Sequence, residues 1–264
     1  MNRLLKTIWI IIFLIPIIPC SAQSGTDKLL KMTLISQKVG DTWVLKQSEQ
    51  FQYTSFGQLK SHTMSLLKDD QWINSSRLQF EYDSISHLET LRYWQLWKEG
   101  EWSSNLRFRP VRDPNDRLIE EKVDKKDESN WLLARKNTSS FSEVGGLKQE
   151  QVYLNLNGDD WEFSWKDIYT YNEGKLVKKV GYSWKNGTWA KGMIIKYSYN
   201  LDGLRTEELM IRVINGEESN WRRTSFSYKN GLKTFAKLEV SKDGQWVENQ
   251  LHTFTYLDQK FLIN

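Results

Sequence analysis

One cysteine, Cys20, stands in the whole chain, at the end of an N-terminal apolar run. If it leaves with that run, the remainder has no thiol. Disulfides and cysteine-based metal sites are then excluded, and stability must come from burial alone. Histidine is nearly as scarce: His62, His87 and His252 fall in different parts of the chain. Metal ligation or histidine-based catalysis needs such residues gathered with carboxylates or a nucleophile, so these read as surface or sheet-edge histidines. No phosphate loop, GxSxG elbow or HExxH motif occurs. Beyond the N-terminus no run is apolar enough to cross a membrane as a helix. Basic residues are spread along the chain, without the clustered footprint of a nucleic-acid binder.

The first residues read as a secretory signal. Arg3 and Lys6 supply the positive start, Ile8 to Ile18 the apolar core, and Cys20-Ser21-Ala22 the small exit before Gln23. Cleavage is expected after Ala22, with lipidation at Cys20 ranked below it because Pro19 occupies a small-residue position. Residues 1–22 are then the signal, 23–28 a linker and 29–264 one repeat domain, destined for the periplasm, cell surface or medium. Without Arg3 and Lys6, 35 basic residues face 33 acidic ones, a nearly balanced mature charge.

What the chain has in excess is aromatic. Trp43, Trp72, Trp102, Trp131, Trp161, Trp189, Trp221 and Trp246 recur at spacings of 29, 30, 29, 30, 28, 32 and 25. Eight and ten residues later come paired rings: Phe51 and Tyr53, Phe80 and Tyr82, Tyr169 and Tyr171, Tyr197 and Tyr199, Phe254 and Tyr256. The seventh unit keeps Phe226 and Tyr228, closer to its tryptophan by three residues, and the third and fourth keep Phe108 and Phe141. A leucine follows about five residues on, as in Leu59, Leu88, Leu118 and Leu147.

The tryptophan and the two later rings share one parity, so on a strand they are predicted to share a face. The eight register tryptophans are therefore expected in the core. Asn186-Gly187, Asn215-Gly216 and Asp243-Gly244 before successive tryptophans suit the positive φ of tight hairpin turns. Each unit reads as strand, turn, strand, turn. The fold class is all-β: an antiparallel meander of about eight two-stranded repeats with a period of 28–30, as a curled or elongated sheet. Leu30 marks a lone strand that starts the array, and Phe261-Leu262-Ile263 a second strand that starts and stops. One unit cannot fold alone, because three aromatic side chains do not offset the entropy of ordering about 29 residues. Neighbouring units must share hydrogen bonds and packing.

An outer-membrane barrel is the competing architecture, with even strand number and aromatic girdles. Against insertion stand polar residues on the predicted tryptophan face: Gln47 and Glu49, Asn74 and Ser76, and Glu248, Gln250 and His252. The segment Asp124 to Asn130 is polar throughout.

The order Trp, Phe/Tyr-x-Tyr and a Gly-Leu turn resembles the YD-type repeats of RHS proteins. It is seen in Tyr199-Asn200-Leu201-Asp202-Gly203-Leu204 and Tyr171-Asn172-Glu173-Gly174-Lys175-Leu176. It is similar still more to tandem-repeat proteins exported by Bacteroidota-type bacteria. The resemblance covers roughly residues 38–264 and implies an extracytoplasmic hairpin array with no shared activity. The chain lacks the long repeat shell and toxin module of full RHS proteins.

Functionally the sequence points to a non-enzymatic binding or structural protein without cofactor or metal, facing a glycan or an envelope protein. Trp94, Trp97, Trp165 and Trp184 lie outside the register and are the candidate ligand-stacking aromatics. Trp97 with Trp102 and Trp184 with Trp189 also suit packing across a tight turn. A carbohydrate-active enzyme would have to use carboxylate pairs such as Asp159-Asp160, Glu207-Glu208 or Glu217-Glu218, which sit at or beside turns where charges are solvated.

Overall fold

A computed structural model describes residues 28–143 and 145–257. The signal segment, the linker up to residue 27 and the Phe261-Leu262-Ile263 strand lie outside the described residues. The alternating sequence forms sixteen strands: β1 (Leu30–Val39), β2 (Thr42–Tyr53), β3 (Leu59–Lys68), β4 (Gln71–Tyr82), β5 (Glu89–Lys98), β6 (Glu101–Arg112), β7 (Leu118–Asp127) and β8 (Asn130–Phe141). They continue as β9 (Lys148–Asn157), β10 (Asp160–Asn172), β11 (Lys175–Lys185), β12 (Thr188–Tyr199), β13 (Arg205–Ile214), β14 (Glu217–Lys229), β15 (Leu232–Lys242) and β16 (Gln245–Tyr256).

Each strand pairs antiparallel with its neighbours in sequence, and β1 pairs with β16, so the meander closes into a barrel. This corrects the expected curled or elongated sheet. The lone first strand and the last long strand are each other's missing partner, and pairing them removes both exposed edges. At the tryptophan end the hairpins turn through two residues, as at Asn186 (φ 50°) and Gly187 (φ 78°). At the opposite end most turns are longer, as between Tyr82 and Glu89. There a tyrosine hydroxyl fastens each of five hairpins, donating to a backbone carbonyl 23 residues earlier: Tyr53 to Leu30, Tyr82 to Leu59, Tyr199 to Leu176, Tyr228 to Arg205 and Tyr256 to Lys233, at 2.7–3.0 Å. Burial, then the charge of Glu89, pushes the Tyr82 phenol up to about 12, so it stays a donor.

Every one of the sixteen strand pairings contains one register shift. In the long strands the extra residue falls three positions after the register tryptophan. On β4, Asn74 pairs with Ser65 and Ser76 with Met64, leaving Ser75 without an opposite number. Ser65 and Met64 point to opposite faces, so Asn74 and Ser76 do too. Trp72 and Asn74 thus face one side, and Ser76, Leu78, Phe80 and Tyr82 the other. The shared face predicted from parity is therefore wrong: the bulge puts tryptophans on the outer wall and the Phe-x-Tyr rings on the inner wall. The polar mid-strand residues divide likewise, Asn74 and Glu248 outward, Gln47, Glu49, Gln250 and His252 inward. The seventh unit differs, because Trp221 is itself the bulged residue.

The register tryptophans are not core residues. They stitch units together on the outside. Arg77 lies over Trp102, Arg107 over Trp131, Lys136 over Trp161, Lys166 over Trp189 and Arg223 over Trp246, each cation 4.4–4.9 Å from the ring centroid. The cation comes from the preceding long strand. Where that position is Ser48, the next tryptophan, Trp72, is 44% exposed.

Candidate functional site: the inner wall of the barrel

A ring of sixteen strands encloses more space than its own side chains fill. The inner wall carries an apolar mid-level that includes Ile35, Leu78, Phe108, Val123, Ile195, Met210 and Leu238, all buried. Polar groups interrupt it in three sectors.

The first sector is made by closure. Across β16, β1, β2 and β3, His252 and His62 flank Glu49. His62 Nε2 is 3.4 Å from Glu49 Oε2, its ring stacks on Phe51 at 4.5 Å, and Gln47 donates to Glu49 Oε1 at 3.1 Å. Burial alone would raise the Glu49 carboxyl, but the hydrogen bond and charge of His62, with the charge of His252, outweigh it and hold Glu49 low. Burial pushes His252 down, against the pull of Glu49. Residues nearly 200 positions apart meet here because β1 and β16 are partners, so reading the histidines as scattered missed the cluster. Its only sequence signal is that Leu30 reads as a lone strand ahead of the first tryptophan.

The second sector spans β5 to β8. Arg92 reaches over β6, its guanidinium 4.7 Å from the Phe108 ring, to pair with Glu121 at 2.6 Å. Asn137 donates to the other Glu121 oxygen at 3.2 Å. Glu89 sits 3.6 Å from Arg92, and burial raises its carboxyl. Yet Arg92 Nε, Arg112 Nε, Glu89 Oε1 and Asn137 Oδ1 are buried without a hydrogen-bond partner, and all project inward.

The third sector spans β9 to β12. The Trp165 indole donates to Asp167 Oδ1 at 2.8 Å, and Lys179 donates to Oδ2 at 3.3 Å. Its six-membered ring lies across β11 and β12. A Cβ on Gly181 would stand 2.1 Å from the ring, and one on Gly192 3.5 Å. Tyr153, paired with Trp165, and Tyr169 lie beside it, and burial above all raises both phenols.

The four candidate tryptophans separate. Trp94 and Trp165 face inward. Trp97 and Trp184 face outward, in T-shaped contacts 5.0 Å from Trp102 and Trp189, the cross-turn packing that their spacing suggested. Glu207 and Glu208 project to opposite walls, as do Glu217 and Glu218, because they are strand neighbours. Glu208 pairs with Arg205 at 3.6 Å and Glu218 with Lys191 at 3.5 Å. Among the described residues no group of histidine and carboxylate side chains has the geometry to hold a metal ion.

On the outer wall charges are matched. Asp124, 1% exposed, accepts from Arg107 Nε at 2.8 Å and from Arg109 Nε and Nη2 at 2.8 and 2.7 Å. Burial raises this carboxyl, and the hydrogen bonds of Arg109 and Arg107 bring it below its ordinary value.

No protein-family model matches the chain, the YD-type repeat included, and no curated protein matches it. Among solved structures it is similar to a porin-like protein from Bacteroides uniformis, at a TM-score of 0.53 and 10% identity over 86% of this chain and 98% of that one. The likeness is one of fold. Weaker and partial likenesses reach a DUF3836 family protein from Parabacteroides distasonis (TM-score 0.29, 15% identity, 36% of this chain and 89% of that one). They also reach a chain of the TcdB2-TccC3 structure (TM-score 0.36, 10% identity, 86% of this chain and 15% of that one). Closure of the strands and the likeness in fold replace the open recognition sheet with a closed barrel.

Proposed function

We propose that this chain is an exported envelope barrel that holds or passes a small polar solute along its inner wall, without reacting with it. One observation carries the reading: the closed ring of strands turns charged and polar side chains inward, among them Glu49, His62, Arg92, Glu121 and Asp167. Charged groups are costly to bury without polar partners, so an inner wall that carries them suits water and polar solutes better than apolar ones. The reading sets the barrel in water, because its outer wall carries Arg77, Arg107, Asp124, Lys136, Lys166, Arg223 and Glu239 near mid-height. An arginine or lysine at the midplane of a bilayer costs roughly 2–4 kcal/mol.

The test uses single cysteines, since the chain has none after Cys20. Asn155→Cys faces inward and Gln50→Cys outward. Maleimides of increasing size should label the outer thiol uniformly and the inner thiol up to a size limit. An inner thiol inert to the smallest reagent would refute an accessible lumen.

Membrane insertion is the second reading, favoured by strand closure and by the porin-like fold. Fractionation decides it. Extraction only by detergent, with heat-dependent migration on gels, would establish insertion. Release with soluble periplasmic protein would establish the water-filled setting.

A further inference from the structure

We infer that the outer wall over β9 to β13 is a docking face for an anionic lipid surface, an assignment independent of what the lumen holds. Each of β9, β11 and β13 turns three apolar side chains outward in succession, as Val180, Tyr182 and Trp184 do on β11. At the position of Tyr182 the adjoining units carry Leu154 and Ile211, whereas the other five carry Ser36, Ser65, Gln95, Asp124 and Glu239. On β12, Ile194 stands where other long strands keep the stitching cation, such as Arg77 and Arg107. Val180, Ile194 and Ile211 are buried in one cluster, with Tyr182, Leu209 and Val213 packed against it. Toward the tryptophan end Phe163 is 46% exposed, its ring centroid 5.2 Å from that of Trp184 and 5.5 Å from that of Trp189.

A barrel that spans a bilayer needs an apolar band on every strand, and one surrounded by water needs none. An apolar arc confined to five neighbouring strands of the closed ring fits contact on one side. The charges of the arc choose the occupant. Lys166, Lys178, Lys191 and Lys196 point outward there, against Glu150 and Glu207. Lys178 and Lys196 are direct cross-strand partners. Like charges so placed are destabilising, and an anionic neighbour relieves them. A second copy fits poorly, because its own lysines would meet these and two convex walls touch only along a narrow strip. Lipid moulds to a curved wall and takes tryptophan and tyrosine rings at its headgroup level. It also sets phosphate beside the lysine heads while their stems lie on apolar surface.

The experiment sediments exported protein, purified from cells, with vesicles of phosphatidylethanolamine alone or mixed with phosphatidylglycerol. Circular dichroism is the folding control. The protein should sediment with the mixed vesicles and be released by alkaline carbonate. Phe163→Asp should weaken this binding about tenfold or more, as withdrawal of one phenyl group from an apolar contact does. Trp72→Asp, at a comparably exposed ring on β4 (44%), should leave it unchanged. Lys178→Gln and Lys196→Gln should each weaken it about fivefold, and only where the anionic lipid is present. Equal losses from Phe163→Asp and Trp72→Asp would overturn the face. Absence of binding to both vesicles would do the same, as would protein that resists carbonate, the behaviour of a barrel inserted by its whole ring. A dimer in light scattering that Phe163→Asp dissociates would overturn lipid as the occupant in favour of a second copy.

Discussion

The two faces of the wall are built from the same repeat and obey different rules. The outer face is regular: a tryptophan under the cation of the preceding unit, five times over. Its buried carboxylate Asp124 is held by two arginines. The inner face keeps the periodic rings near one end and varies everything above them, leaving polar atoms without hydrogen bonds. Repetition holds the wall together, and departure from repetition gives the lumen its chemistry.

The largest expected effect tests whether stability resides inside. Phe108 is 2% exposed and lies under Arg92, so Phe108→Ala should cost about 4 kcal/mol in denaturant unfolding. Trp72→Ala, on the exposed and uncapped outer ring, should stay within about 0.5 kcal/mol. Equal losses would erase the distinction between the faces. Next comes Asp124→Asn, expected to cost about 3 kcal/mol because Arg107 and Arg109 lose their counter-charge in a buried setting. A loss below about 1 kcal/mol, typical of an exposed pair, would show that solvent screens this network.

Tyr82→Phe should cost about 1 kcal/mol, one hydrogen bond, and should speed amide exchange at the Leu59 end of the β3–β4 hairpin. Lys136→Gln should cost about 0.5 kcal/mol, the worth of an exposed cation over a ring, with a matching change in Trp161 fluorescence. An unaltered Trp161 signal would show that the outer stitch is not formed.

The pH dependence separates the seam from the outer wall. His252 has a folded pKa below its unfolded value of 6.5. The unfolded chain therefore binds the proton first, and stability falls as pH drops below about 6.5. Glu49 and Asp124 are also held low, from 4.5 and 3.8, so their contribution is present above those values and lost as pH falls through the folded pKa. His252→Gln should flatten only the upper part of this acid limb. Unchanged unfolding midpoints between pH 5 and 6.5 would remove His252 from the account.

Much of this was legible in the residues. The period, the turns and the identity of both strands in each unit follow from ring spacing and from dipeptides such as Asn186-Gly187. Trp97 and Trp184 could be recognised as cross-turn partners because a tight turn sets its flanking pairs. The face of each tryptophan could not. Parity counts residues along one strand, whereas a bulge belongs to a pair, and Ser75 resembles any other strand serine until Asn74 and Ser76 are seen opposite Ser65 and Met64. Trp165 was singled out for standing outside the register. Its seat on Gly181 was invisible, since the glycine comes from the next strand.

By itself, then, the sequence determined a chain of antiparallel strands with fixed turns and a recurring ring, because local backbone preference and period-two alternation act over a few residues. Only the tertiary structure decided which wall each ring occupies, that the ends join, and that Glu49, His62 and His252 meet. Each of those depends on hydrogen bonds between strands, and the last two on an edge pairing between residues more than 200 positions apart, for which no local pattern exists.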